Sequence, residues 1–153
     1  TGADVARAGV AARNNPPVRG AADRDALWDA LADGTIGHVT TDHAGFSAAE
    51  KAAHAGNFLT APPGHPGTEC MLPALLDAVA AGRLALDDVV RLTAVNPAAR
   101  FGLSDRGRIA AGQRADLVIV DLAADTAVTE TSLITAAAPV ARLSHGERFR
   151  GRV

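Results

Sequence analysis

The sequence predicts an α/β chain, and three observations carry that prediction. A helical pattern over residues 22–32 passes through a tight turn at Gly34 into the β-branched run 35–39, whose far end is Thr40-Thr41-Asp42-His43. A second helical pattern covers residues 69–80, and the apolar run 117–121 reads as a buried strand. Helix, tight turn, short strand and loop make one αβ step of a parallel sheet or barrel.

Taken in order, residues 3–8 form a short helical pattern closed by Gly9. In Arg13-Asn14-Asn15-Pro16-Pro17 two prolines forbid helix and push Asn15 into an extended conformation, so its amide is held at a fixed place on a loop. Read locally, this is a rigid turn. Residues 22–32 place Ala26, Leu27, Ala30 and Leu31 on one face and Arg24, Asp25 and Asp29 opposite, with Trp28 at the edge. Gly34 stops that helix, and the strand carrying His38 follows. In parallel α/β folds chemistry collects at the C-terminal ends of strands, which is where Asp42 sits. Taken alone, Asp42 reads first as a cap of the following turn.

Ser47-Ala48-Ala49-Glu50 fits a capping box opening a further helix. Residues 57–68 are a loop stiffened by Pro62, Pro63 and Pro66, with Gly64 and Gly67 letting backbone approach a ligand. The helix from Glu69 is apolar at Met71, Leu72, Leu75, Leu76 and Val79 and ends at Gly82. Asp87 reads as the N-cap of a helix over residues 88–93, and Pro97 begins one more turn ended by Gly102. Composition shifts after Leu103, and weaker strand-like pieces follow at Val128, Val140 and Leu143. A boundary near residue 105 therefore divides the chain into parts 1–104 and 105–153.

The 153 residues suffice for one ordinary domain. A formal net charge of -2 and a pI near 6.2 supply no basic field, which argues against nucleic acid as a partner. One cysteine, Cys70, excludes an internal disulfide framework and suits a reducing compartment; on an apolar helix face it reads as a core residue. No run reaches the ~20 apolar residues of a membrane span, and no signal peptide is visible. The chain starts at Thr1 without an initiator Met, which points to a processed or partial product.

Several segments, each weak alone, keep one order over nearly the whole chain. They are Asn15-Pro16-Pro17-Val18-Arg19, Asp23 to Trp28, Ala30-Leu31-Ala32-Asp33-Gly34, Thr41-Asp42-His43-Ala44 and Ala61-Pro62-Pro63-Gly64-His65-Pro66-Gly67-Thr68-Glu69. Asn96-Pro97-Ala98, Phe101-Gly102-Leu103, Gly107-Arg108-Ile109 through Gly112, and Ala115-Asp116-Leu117-Val118 complete the series. Together they resemble the cyclic amidohydrolases: dihydroorotases, hydantoinases (dihydropyrimidinases) and allantoinases of the amidohydrolase superfamily.

The resemblance implies a (β/α)8 TIM-type barrel with a small β-sandwich. Residues 1–104 would be the C-terminal part of the barrel, including strand 8, and 105–153 part of the sandwich. It implies one or two divalent metals, zinc as a rule, that lower the pKa of the attacking water. The strand-8 Asp of the family ligates one metal and moves a proton from that water to the leaving nitrogen; it matches Asp42. A base beside a metal must be anionic and fixed at the barrel mouth, which suits a carboxylate on a strand end. Asn15 matches a substrate-contacting Asn of dihydroorotases, and Pro63 and Gly64 match a loop whose backbone binds the substrate ring. Pro63 has no N–H, so only its carbonyl or the Gly64 amide could act. His43 reads as support for Asp42, whereas His38, His54, His65 and His145 show no mutual ligand spacing. Partners implied are a small cyclic amide, the remainder of the barrel and further copies of the chain, in the cytoplasm.

Two departures qualify this picture. Dihydroorotases follow Asp-His-Ala with Pro and a carboxylate-binding His, and here Gly45-Phe46 stand there, so a less polar ring becomes the alternative substrate. The family's other metal ligands belong to earlier strands absent from these residues. A barrel needs about 250 residues, and one Asp cannot hold a catalytic metal, so the isolated chain is expected to be inactive. A dihydroorotase-like ring-opening enzyme leads. A hydantoinase or allantoinase activity, a non-catalytic scaffold subunit and a small α/β binding domain are the alternatives.

Overall fold

Helix caps and glycine stops account for most regular structure in the computed structural model, which describes residues 2–141 and 146–153. Helix α1, Gly2–Ala8, passes at Gly9 into a 3₁₀ turn, Gly9–Ala12. Helix α2, Ala21–Ala32, matches the sequence pattern, and Gly34 after it takes φ +84°. Helix α3, Ala48–Ala52, opens on the expected capping box: the Glu50 N–H donates to Ser47 Oγ, and the Ser47 N–H donates to the Glu50 carboxylate. Helix α4, Thr68–Ala80, buries Leu75, Leu76 and Ala78 and ends at Gly82. Helix α5, Leu86–Val90, continues as a π turn, Arg91–Val95, into helix α6, Asn96–Arg100, with Pro97 in its first turn. Strands β1, Asp121–Ala127, and β2, Arg148–Arg152, form a two-stranded sheet.

Four expectations are corrected. Residues 35–39 run without regular structure and form no strand, because no neighbouring strand among the described residues offers a ladder. Their backbone is held instead by isolated bonds, Ile36 N–H to the Ala30 carbonyl and Val39 N–H to the Leu92 carbonyl. The run 117–121 is not a buried strand: Leu117 and Ile119 are 61% and 89% exposed, and β1 starts only at Asp121. Helix α2 buries Leu31 alone, leaving Leu27 exposed, so its apolar face lacks a cover. The cap of α5 is Ala85 rather than Asp87; the Asp88 carboxylate accepts the Ala85 N–H and closes the first turn. Val128 is buried just after β1, and Val140 lies in a 3₁₀ turn, Ala138–Val140. Leu143 and His145 fall outside the described residues.

The chain forms two compact units. One comprises Thr1–Arg24, Thr41–Met71 and Ala127–Arg148, and within it Ala11, Ala137 and Val140 make a small buried cluster. The other comprises Asp25–Thr40, Leu72–Thr126 and Phe149–Val153. Its core is Leu75, Leu76, Val89, Leu92 and Ala98, and it holds a largely apolar cavity of about 500 Å³ floored by Leu72, Leu76, Val89 and Pro97. In this second unit the Arg150 N–H and Nε both donate to Asp77 Oδ1, fastening β2 to α4. No helix among the described residues is long and apolar enough to cross a membrane.

Candidate functional site

All four residues singled out from the sequence, Asn15, Asp42, Pro63 and Gly64, lie in the first unit. Asp42 has φ +44°, the one positive φ among the described residues that is not glycine. L-residues enter this region at a cost, Asp less than most, and such positions gather where function holds the backbone. Its carboxylate is exposed and makes no hydrogen bond or ion pair among the described residues. It does not cap the following turn; the Thr41 hydroxyl accepts the His43 N–H instead.

His43 ties the Asp42 segment to the start of α4. Its Nδ1 accepts the N–H groups of Gly67 and Thr68, each at 3.3 Å. Two donors aimed at Nδ1 leave the ring proton on Nε2. Next to it, the Ala44 N–H donates to the His65 carbonyl. His43 thus bridges segment 41–44 and loop 64–68.

The loop pair divides into one engaged residue and one open one. Gly64 is buried, and its N–H donates to the Arg13 carbonyl at 2.9 Å. Its carbonyl accepts Lys51 Nζ at 2.8 Å. A side chain at Gly64, which has φ +155°, would collide with Ala44 and press on the Phe46 ring, so glycine is required there. Pro63 is exposed and its carbonyl takes no hydrogen bond among the described residues. Asn15 is exposed across a cis bond to Pro16. Arg13 Nη1 donates to Asn15 Oδ1 at 2.7 Å, and the Asn15 NH₂ group makes no hydrogen bond among the described residues.

Lys51 went unnoticed in the sequence. It is the chain's sole lysine, and it is 1% exposed. Its Nζ donates to the carbonyls of Arg13 and Gly64 and stands 5.8 Å from the centre of the Phe46 ring. Burial, and after it the positive charge of Arg13, lowers its pKa from the ordinary lysine value. The only advance sign was scarcity, one lysine among fifteen basic residues.

Other sequence candidates stay apart. His38 is exposed, His54 Nδ1 pairs with the Thr60 hydroxyl, and Cys70 is half-buried. Among the described residues no three His, Cys, Asp or Glu side chains converge as a metal site. Of the four singled-out positions only Asp42 offers a cation a carboxylate, so they suit one ligand position and cannot hold a divalent ion alone.

A family model described as "Amidohydrolase family" matches residues 3–146, nearly the whole chain. The chain belongs to the amidohydrolase family. A dihydroorotase of Halobacterium salinarum is 49% identical over 118 residues, covering 77% of this chain and 27% of that protein. A D-phenylhydantoinase of Escherichia coli is 39% identical over 110 residues, 70% of this chain and 24% of its own. Among solved structures, the L-hydantoinase (dihydropyrimidinase) of Arthrobacter aurescens superposes with a TM-score of 0.85 at 31% identity, over 99% of this chain and 34% of that one. This amidohydrolase chain therefore spans about a quarter of the sequence relatives it matches and about a third of the solved ones. Membership implies the barrel fold of the family.

Proposed function

We propose that this chain is the C-terminal portion of a cyclic amidohydrolase, with residues 1–104 in the barrel, residues 35–42 leading into its eighth-strand position, and 105–153 in the sandwich. One observation carries the reading: an unbonded carboxylate, Asp42, held at φ +44° in the unit that also holds Asn15 and Pro63. A divalent cation, zinc by family habit, supplies Lewis acidity when bound, with Asp42 as one ligand and the others from outside these residues. Asp42 Oδ accepts the proton of the attacking water and hands it to the departing ring nitrogen. The Asn15 NH₂ group donates to a ring carbonyl, and the Pro63 carbonyl accepts a ring N–H. In its whole form the enzyme is a cytoplasmic homo-oligomer.

The substrate class follows from Phe46. Its ring packs against Gly64 and over Lys51, where a carboxylate-binding His would stand in a dihydroorotase, so no cationic or donor group is offered there. This favours a neutral ring of the hydantoin or dihydropyrimidine kind over dihydroorotate, although the more similar sequence relative carries the name dihydroorotase. The test is to supply the rest of the barrel, from the same gene or as a separate chain, and assay dihydroorotate, hydantoins and allantoin. Ring opening that disappears with Asp42→Asn supports the reading. A complete, metal-loaded barrel that opens none of these rings would point to a scaffold subunit.

A further inference from the structure

Lys51 is unlike any other charged group among the described residues, because it is the one charged side chain that is buried. A buried ammonium is costly unless its protons find acceptors. Lys51 finds two, the carbonyls of Arg13 at 3.0 Å and Gly64 at 2.8 Å, and no carboxylate stands among its partners. Those carbonyls belong to the two loops that carry Asn15 and Pro63. The Gly64 N–H closes the same knot by donating to the Arg13 carbonyl, so one oxygen receives two donors. Phe46, which covers the ammonium, is four residues beyond Asp42. The Ser47–Glu50 capping box sets the start of α3 and with it the direction from which Lys51 enters.

We propose that Lys51 is a positioning residue: its ammonium pins the loop bearing Asn15 to the loop bearing Pro63, and so sets the donor and the acceptor that receive the ring. The proposal rests on the substrate contacts proposed above, but the pin itself can be judged separately. An ion pair would add attraction without direction, whereas two carbonyls at fixed angles also orient the peptide planes they belong to. The Gly64 N–H, which donates to the same Arg13 carbonyl, shares its peptide plane with the Pro63 carbonyl, and Arg13 Nη1 orients the Asn15 amide directly.

Because Lys51 is the sole lysine, lysine labelled with ¹⁵N at Nζ gives one ammonium resonance in the unmutated 153-residue chain. A buried ammonium bound to two carbonyls exchanges its protons slowly, so the signal should be sharp at neutral pH. A resonance broadened away, as for a solvated lysine, while the α4 amide signals stay sharp overturns the pin whatever any variant does to folding. In Lys51→Met, hydrogen exchange at the Gly64 amide should accelerate roughly tenfold while α4 amides hold; unchanged Gly64 exchange also overturns it. In the complete enzyme, Lys51→Met should raise KM roughly tenfold with kcat within about threefold. A sharp resonance with KM unchanged leaves a structural lysine and removes the positioning role. Should the unmutated complete enzyme open no ring, the functional reading fails while the resonance and exchange results still judge the pin.

Discussion

At the scale of single residues, the site rests on one free group and one fully engaged glycine. Asp42 is exposed and makes no bond among the described residues, so its replacement should leave packing undisturbed. Asp42→Asn should lower kcat/KM of the complete enzyme about 10³-fold, the usual worth of a positioned proton acceptor. Urea unfolding should show stability within about 0.5 kcal/mol of the original, as for an exposed substitution. Loss of activity together with a large loss of stability would contradict this assignment. Gly64 behaves oppositely. A methyl group there meets Ala44 and lies 3.2 Å from the Phe46 ring, so Gly64→Ala should cost about 2 kcal/mol, read from the urea midpoint. Neither outcome depends on which ring is the substrate.

At the scale of elements, the short helices depend on their caps. Helix α3 has five residues, too few to persist on propensity, and its Ser47–Glu50 box supplies the missing bonds. Ser47→Ala should cost about 1 kcal/mol of stability, and it should also loosen the approach of Lys51, visible as faster exchange at Gly64. The link from β2 to α4 carries a pH dependence. The Arg150 N–H, with a further contribution from its guanidinium, holds the Asp77 carboxyl below its ordinary value of 3.8, against the opposing effect of partial burial. A depressed folded-state pKa contributes stability that is complete above the unfolded value and disappears as pH falls through the folded one. Acid unfolding should therefore show a component below about pH 4 that Asp77→Asn removes, measured by urea midpoints across pH 2 to 5. Persistence of that component in Asp77→Asn would assign it to another carboxylate.

At the scale of the molecule, the chain covers about a third of the solved hydantoinase it resembles, and large apolar side chains stand exposed on it. Phe101, Ile109 and Ile119 are 70%, 90% and 89% exposed, and Leu117 and Val118 more than half exposed. Apolar patches of this kind bind partners or aggregate. The isolated chain should bind an apolar dye and self-associate in sedimentation, and Ile119→Lys should reduce both. Calorimetric titration with zinc should show no stoichiometric site in the chain alone, since Asp42 offers one carboxylate where three or four ligands are needed.

Local rules were readable directly from the residues. The capping box at Ser47, the glycine stops at Gly34 and Gly82, the apolar face of α4 and the family pattern around Asp42 each depend on neighbours within a few positions, or on an ordered series of short motifs. What depends on distant partners was not readable. Run 35–39 has strand-forming residues but no ladder without adjacent strands, and run 117–121 is apolar yet exposed for want of a covering layer. Lys51 shows the same limit inside the site: its acceptors lie 38 and 13 residues away, and nothing in a stretch reading Ala-Ala-Glu-Lys-Ala states that its charge is buried. Sequence alone determined the family, the capping box at Ser47 and the candidate carboxylate. Only the tertiary structure decided which backbone groups were already engaged, because hydrogen bonds between loops depend on chain segments brought together in space.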